Sequence, residues 1–163
     1  MKFARLSLYF LFLAFVACSD DEAGMNSTVD PLDPNITIWS GPTVTFTKLP
    51  NSDPGDAQNQ DRITDEVWIT RGTNGGQIYN AKVEGSADKN QSPRGTLWAV
   101  GTTSNLASLN LLPFRAAVGS PQDVAGKNLV LYLEDEKIAM DVKFTSWSQS
   151  KSGGFSYERS TEN

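Results

Sequence analysis

The chain has 163 residues, 14 of them basic, 19 acidic and none histidine. Its acidic balance leaves no basic stripe to neutralise phosphates, which argues against nucleic acid as a partner. Without histidine there is no Ser-His-Asp nucleophile, no imidazole acid–base catalyst and no His-ligated zinc, iron or copper.

The leader comes first. Lys2 and Arg5 supply positive charge, and Leu6 to Ala17 is apolar apart from Ser7. That run is too short to cross the hydrocarbon core, which takes about 20 residues, and it has the form of a signal-peptide core. It ends at Ala17-Cys18, and Cys18 is the one cysteine of the chain. A small residue before a lone cysteine at a cleavage point resembles the lipobox of bacterial lipoproteins, although Phe15 stands where Leu is usual. The competing reading is an ordinary signal peptide that happens to contain a cysteine. On the lipoprotein reading, residues 1–17 are removed and Cys18 carries the acyl chains, each buried CH₂ contributing about 0.8 kcal/mol of membrane affinity. With Cys18 lipidated no disulfide can form, so the domain must rest on an apolar core.

Residues 18–35 then read as the lipidated cysteine and a flexible acidic tether, with Pro31 and Pro34 and little to bury. Ser19-Asp20-Asp21-Glu22 resembles the surface-export signal of bacteroidete lipoproteins, which implies an outer-membrane location facing the cell exterior. A solvated linker with no sorting role is the alternative.

From residue 36 to 163 the pattern is β. Strands are expected at 36–40, Val44–Lys48, 66–71, 77–84, 96–102, 109–112, Asn128–Leu133, 137–147 and Phe155–Arg159, separated by Gly-, Pro- and Asn-rich turns. No segment holds a helical period over three turns. The fold class expected is all-β, an antiparallel β-sandwich of about eight to nine strands. In 137–147, Ile138, Met140, Val142 and Phe144 alternate with Ala139, Asp141, Lys143, Thr145 and Trp147. A core face and a water face follow from that period of two, with Trp147 on the water face. A meander is expected here, with 137–147 between Asn128–Leu133 and Phe155–Arg159.

No Walker or dinucleotide glycine motif is present, and neither a cofactor nor a metal is expected. Carboxylates such as Asp53, Asp56, Asp61, Asp65, Glu66, Glu84, Asp88, Asp141 and Glu158 leave a paired-acid hydrolase open, but none lies in a catalytic motif. The oxygen-rich stretch from Asn51 to Asp61 suits calcium in its donors but not in EF-hand spacing, and such residues also simply make loops. Of the four tryptophans, Trp39, Trp68 and Trp98 are assigned to core packing. Trp147 is singled out as a ligand-binding residue, with Asp141 and Glu158 beside it. Its cover is either the loop from Ser148 to Gly154 or an external sugar ring.

Several stretches carry a wider likeness: Asn59-Gln-Asp-Arg-Ile-Thr64, Val67-Trp-Ile-Thr-Arg-Gly72, Gly76-Gln-Ile-Tyr-Asn-Ala81, Ser92-Pro-Arg-Gly-Thr-Leu-Trp-Ala99, Lys143-Phe-Thr-Ser-Trp147 and Gly154-Phe-Ser-Tyr-Glu-Arg-Ser-Thr161. From Trp39 to Thr161 the chain resembles an uncharacterised family of bacteroidete extracellular β-domains. The resemblance implies an exported β-domain and carries no activity or site residues. The function expected is a lipid-anchored, non-catalytic binding or adhesion module, with an extracellular glycan or surface protein as partner. A structural envelope lipoprotein is the first alternative and a carboxylate-dependent hydrolase the second.

Overall fold

The computed structural model describes residues 35–163. The segments read as leader and tether, Cys18 included, lie outside the described residues except for Asn35. The strands are β1 (Thr37–Trp39), β2 (Val44–Lys48), β3 (Asp61–Arg62), β4 (Trp68–Arg71), β5 (Ile78–Asn80), β6 (Thr96–Val100), β7 (Asn128–Leu133), β8 (Ile138–Trp147) and β9 (Phe155–Arg159). Among the described residues the single α-helix, α1 (Phe114–Val118), has five residues. The protein is all-β and built of two sheets, as expected. A six-stranded sheet runs β2-β9-β8-β7-β6, and β1 pairs in parallel with the first part of β8. A three-stranded antiparallel sheet runs β3-β4-β5.

Both β7 and β9 have the bounds read from sequence, and the meander β7-β8-β9 is present. Other segments differ. The expected strand 77–84 ends at Asn80, whose side-chain oxygen accepts the Trp68 and Lys82 N–H groups and so takes the place of further ladder bonds. The segment 109–112 is not a strand. Only Leu112 bridges to Trp98, while Leu109 and Leu111 pack down as cover. The two-residue β3 was not anticipated.

Two apolar clusters hold the sheets. The larger lies between them, where Ile69 and Ile78 meet Trp98, Leu131, Met140, Phe144 and Tyr157, with Phe114 and Val118 of α1 closing one side. The second lies on the opposite face of the large sheet, where Leu97, Val130, Tyr132 and Ala139 are covered by Leu106 and Leu111. Successive residues of β7 therefore alternate between two cores, which is why Asn128–Leu133 reads as a nearly unbroken apolar run.

That second cluster corrects the water face assigned to β8, because Ala139 is fully buried under it. Of that face, Lys143 and Thr145 are exposed and Asp141 is half-buried. A larger correction concerns Trp147. Pairing of β8 with β9 shifts between Phe144 and Ser146: Phe144 faces Tyr157, whereas Ser146 faces Ser156 and Trp147 faces Phe155. Thr145 is the extra residue of a β-bulge, and a bulge resets which face later side chains take. Trp147 consequently turns onto the same side as Phe144 and joins the inter-sheet core at 8% exposure.

Candidate functional site

The residues singled out in the sequence do not form one site. Asp141 and Glu158 border the same open groove, while Trp147 borders a different recess.

The groove, of about 380 Å³, lies on the outer face of the large sheet, where β8 and β9 run beside the β1–β2 turn. Gly41 lets that turn sit against the C-terminal tail: a Cβ there would lie 2.1 Å from the Glu162 carbonyl oxygen, so no other residue fits. The Gly41 N–H donates to Thr161 O, which fixes the groove wall. Asp141 is committed to the protein. Its Oδ1 accepts the Thr103 N–H at 2.7 Å and its Oδ2 accepts the Thr103 hydroxyl at 3.1 Å, tying the turn Thr103–Ser108 to the sheet. Its own N–H donates to Ser160 Oγ. Glu158 stands opposite Lys143 in register, and the two form no ion pair. Both are exposed, as is Asn128 across the groove. Glu158 supplies acceptors, Lys143 supplies donors, and the Asn128 amide supplies both.

Beneath the groove lies a buried charge cluster. Arg159 reaches from β9 to Asp61 of β3 through two bonds, Nε to Oδ2 at 2.7 Å and Nη2 to Oδ1 at 3.0 Å. The Tyr157 hydroxyl donates to the same Oδ2 at 2.6 Å. Burial pushes the Tyr157 phenol well above the usual tyrosine range, and the Asp61 charge and hydrogen bond push it the same way. Burial acts to lower the Arg159 guanidinium, but the hydrogen bond and charge of Asp61 outweigh it and leave it raised. The cluster fastens the two sheets together. Tyr157 and Arg159 lie on the same face of β9 by its period of two, whereas no local pattern points to their shared partner Asp61.

The second recess, of about 520 Å³, lies at the end of the inter-sheet core. Arg71 follows Ile69 by two on β4 and so points to the same, buried face. Its guanidinium carbon sits 3.9 Å from the centre of the Trp147 ring, while Phe114 stacks on the indole at an interplanar angle of 28°. Nη1 donates to the Ser148 and Gly154 carbonyls and Nε to the Gly76 carbonyl. The cover of Trp147 is therefore Arg71, held in place by carbonyls at the two ends of the Ser148–Gly154 loop. Neither face of the indole is open to a sugar ring. Burial lowers the Arg71 guanidinium to about 10, still protonated at neutral pH. Lys48, also buried, gives its ammonium to the carbonyl and hydroxyl of Ser52. Burial lowers it, the Arg71 charge lowers it further, and Asp53 opposes both.

The oxygen-rich loop 51–61 is stitched to itself. Asn59 Nδ2 donates to the Asp53 carbonyl, Gln60 Nε2 to the Pro54 carbonyl, and Asp53 Oδ1 accepts the Gly55 N–H. Among the described residues no group of three or more Asp, Glu, His or Cys is placed to hold a metal ion. Trp98 lies in the core as expected, and Trp39 packs against it partly buried. Trp68 is half-buried, with Arg62 4.1 Å and Lys82 5.2 Å from its ring centre.

The geometry thus defines an all-β sandwich-like protein whose described residues form, among other hollows, a polar groove and a cationic recess. Comparison with protein-family models, with curated proteins and with solved structures finds no match to this chain.

Proposed function

We propose that the chain is a lipid-anchored protein of the cell surface and a non-catalytic binding or adhesion module, with an extracellular glycan as its ligand class. The observation that carries the glycan reading is the groove. Glu158, Lys143 and Asn128 surround it with both acceptors and donors, and none of the three side chains has a protein hydrogen-bond partner among the described residues. Sugar hydroxyls both give and accept hydrogen bonds, so a mixed lining matches them better than one of a single kind. The tryptophan assigned to sugar stacking is withdrawn from this role, because its faces are covered.

The non-catalytic reading is supported by the state of Asp141. Both its oxygens accept bonds from Thr103, which leaves Glu158 as the groove's carboxylate free to act. A glycoside hydrolase of the ordinary kind needs two. The anchor and surface location rest on Ala17-Cys18 and the acidic residues after it, and the likeness to bacteroidete extracellular β-domains points the same way.

The test is a glycan array probed with the full chain purified in detergent. Retention of a neutral glycan is expected, with about tenfold weaker binding in an Asn128→Ala/Glu158→Ala double variant whose melting curve is unchanged. An array without a retained glycan, or equal retention by the variant, would overturn the glycan reading.

A further inference from the structure

The recess floored by Arg71 differs from the groove in the sign of its lining. Four cations border it, Arg71, Lys89, Arg115 and Lys151, and no aspartate or glutamate does. They come from four separated parts of the chain: β4, the loop before β6, α1 and the β8–β9 loop. This occurs in a chain whose formal charge is −5, so the cations are gathered against the overall balance. Lys89, Arg115 and Lys151 are exposed, and their charged groups have neither an ion pair nor a hydrogen bond among the described residues.

Exposed lysines alone would be a solvated surface. Arg71 is the separate observation. It is 4% exposed, borders the recess, and pairs with no carboxylate among the described residues. Carbonyl oxygens occupy Nε and Nη1, which leaves Nη2 without a partner. A buried cation is ordinarily matched by an anion, because removal from water costs several kcal/mol that neutral carbonyls offset only in part. The Trp147 ring and three carbonyls hold the guanidinium rigidly, so its remaining donors are set in place before a ligand arrives.

We infer that this recess is a second binding site, distinct from the groove, and that it takes a ligand bearing an oxyanion, a carboxylate or sulfate group. Arg71 Nη2 donates to the oxyanion at the floor, and Lys89, Arg115 and Lys151 surround it at the rim. The volume admits a group the size of a sugar unit or larger. The shared chemistry is the oxyanion, whether carried by an acidic sugar or present as a free ion. Groove and recess have no lining residue in common, so failure of either assignment leaves the other standing.

The test is calorimetric titration of the full chain in detergent, at low ionic strength, with sodium sulfate, a sulfated disaccharide, digalacturonate and a neutral disaccharide. Saturable binding of at least one oxyanion probe is expected, weakening as salt rises. A Lys89→Ala/Arg115→Ala/Lys151→Ala variant removes only exposed side chains and keeps its melting curve. Its affinity for that probe should fall about tenfold or more. Arg71→Lys retains the charge but not the fork, and should weaken binding as well. Equal affinity for sulfate and the sulfated disaccharide assigns the site to a free ion, and tighter binding of either sugar probe assigns it to an acidic sugar. Both outcomes uphold the oxyanion site. No saturable binding of any oxyanion, or undiminished affinity in the folded triple variant, overturns it.

Discussion

Asp61 illustrates how much a single side chain can hold. It satisfies two buried groups of the opposite sheet, the Arg159 guanidinium and the Tyr157 hydroxyl, with Asp61 and Arg159 each 8% exposed. Asp61→Ala leaves the cation without its counter-charge, and removing one partner of a buried pair costs about 3–5 kcal/mol. Urea denaturation should show a loss of that size. An unchanged midpoint would mean that water replaces the carboxylate. Tyr157 adds a dependence on pH. Its folded pKa is raised first by burial and then by Asp61. The stability it contributes is therefore fully present below the unfolded tyrosine value of about 10 and is lost as pH rises through the folded value. Wild type should lose stability more steeply above about pH 10 than Tyr157→Phe does, as measured by denaturant melts across that range. At Trp147 the indole packs on Phe114 under Arg71, so Trp147→Ala should destabilise by about 3–5 kcal/mol.

At the scale of the element, β8 decides the most. Its first seven residues follow the alternation read from the sequence, with Met140, Val142 and Phe144 inward. Phe144 is fully buried and Lys143 exposed. Phe144→Ala should cost about 3–5 kcal/mol and Lys143→Ala within about 0.5 kcal/mol. After Phe144 the bulge at Thr145 intervenes. Deleting Thr145 removes the bulge, makes the pairing of Phe144, Ser146 and Trp147 with Tyr157, Ser156 and Phe155 regular, and leaves Trp147 two places after Phe144 on the same inward face. The expected result is a folded domain with unshifted tryptophan emission, read by denaturant melts and fluorescence. A red-shifted emission in the deletion variant would mean that register with Phe155 alone does not place Trp147. A bulge is invisible to a period-2 reading because it is defined by the partner strand: Thr145 is extra only relative to Tyr157 and Ser156.

For the whole molecule, the large sheet is covered on both faces, by the second sheet with α1 on one side and by Leu106, Leu109 and Leu111 on the other. Among the described residues the openings of several hundred Å³ include the polar groove, the cationic recess and a third hollow bordered by Glu84, Asp88 and Glu134. Among the described residues no helix is long and apolar enough to cross a membrane. On the proposed reading, membrane attachment rests on Cys18, which lies outside the described residues. Cys18→Ser should abolish labelling with a radioactive fatty acid and release the protein from the membrane fraction. Undiminished labelling of that variant would remove the anchor from the proposal.

The sequence by itself determined the all-β class, the bounds of β2, β7 and β9, and the inward residues of β8 as far as Phe144, because those follow from side-chain period and turn chemistry within a few residues. Only the tertiary structure decided where the functional groups meet. Trp147 left the site assigned to it because the register of β9 inserts a bulge. Asp141 became a clasp because the Thr103–Ser108 turn docks on it. The cations Arg71, Lys89, Arg115 and Lys151 are scattered over 81 sequence positions, so no local pattern joins them. They converge because the packing of β4, α1 and the β8–β9 loop brings distant segments to one end of the core, and charge adds in space rather than along the chain.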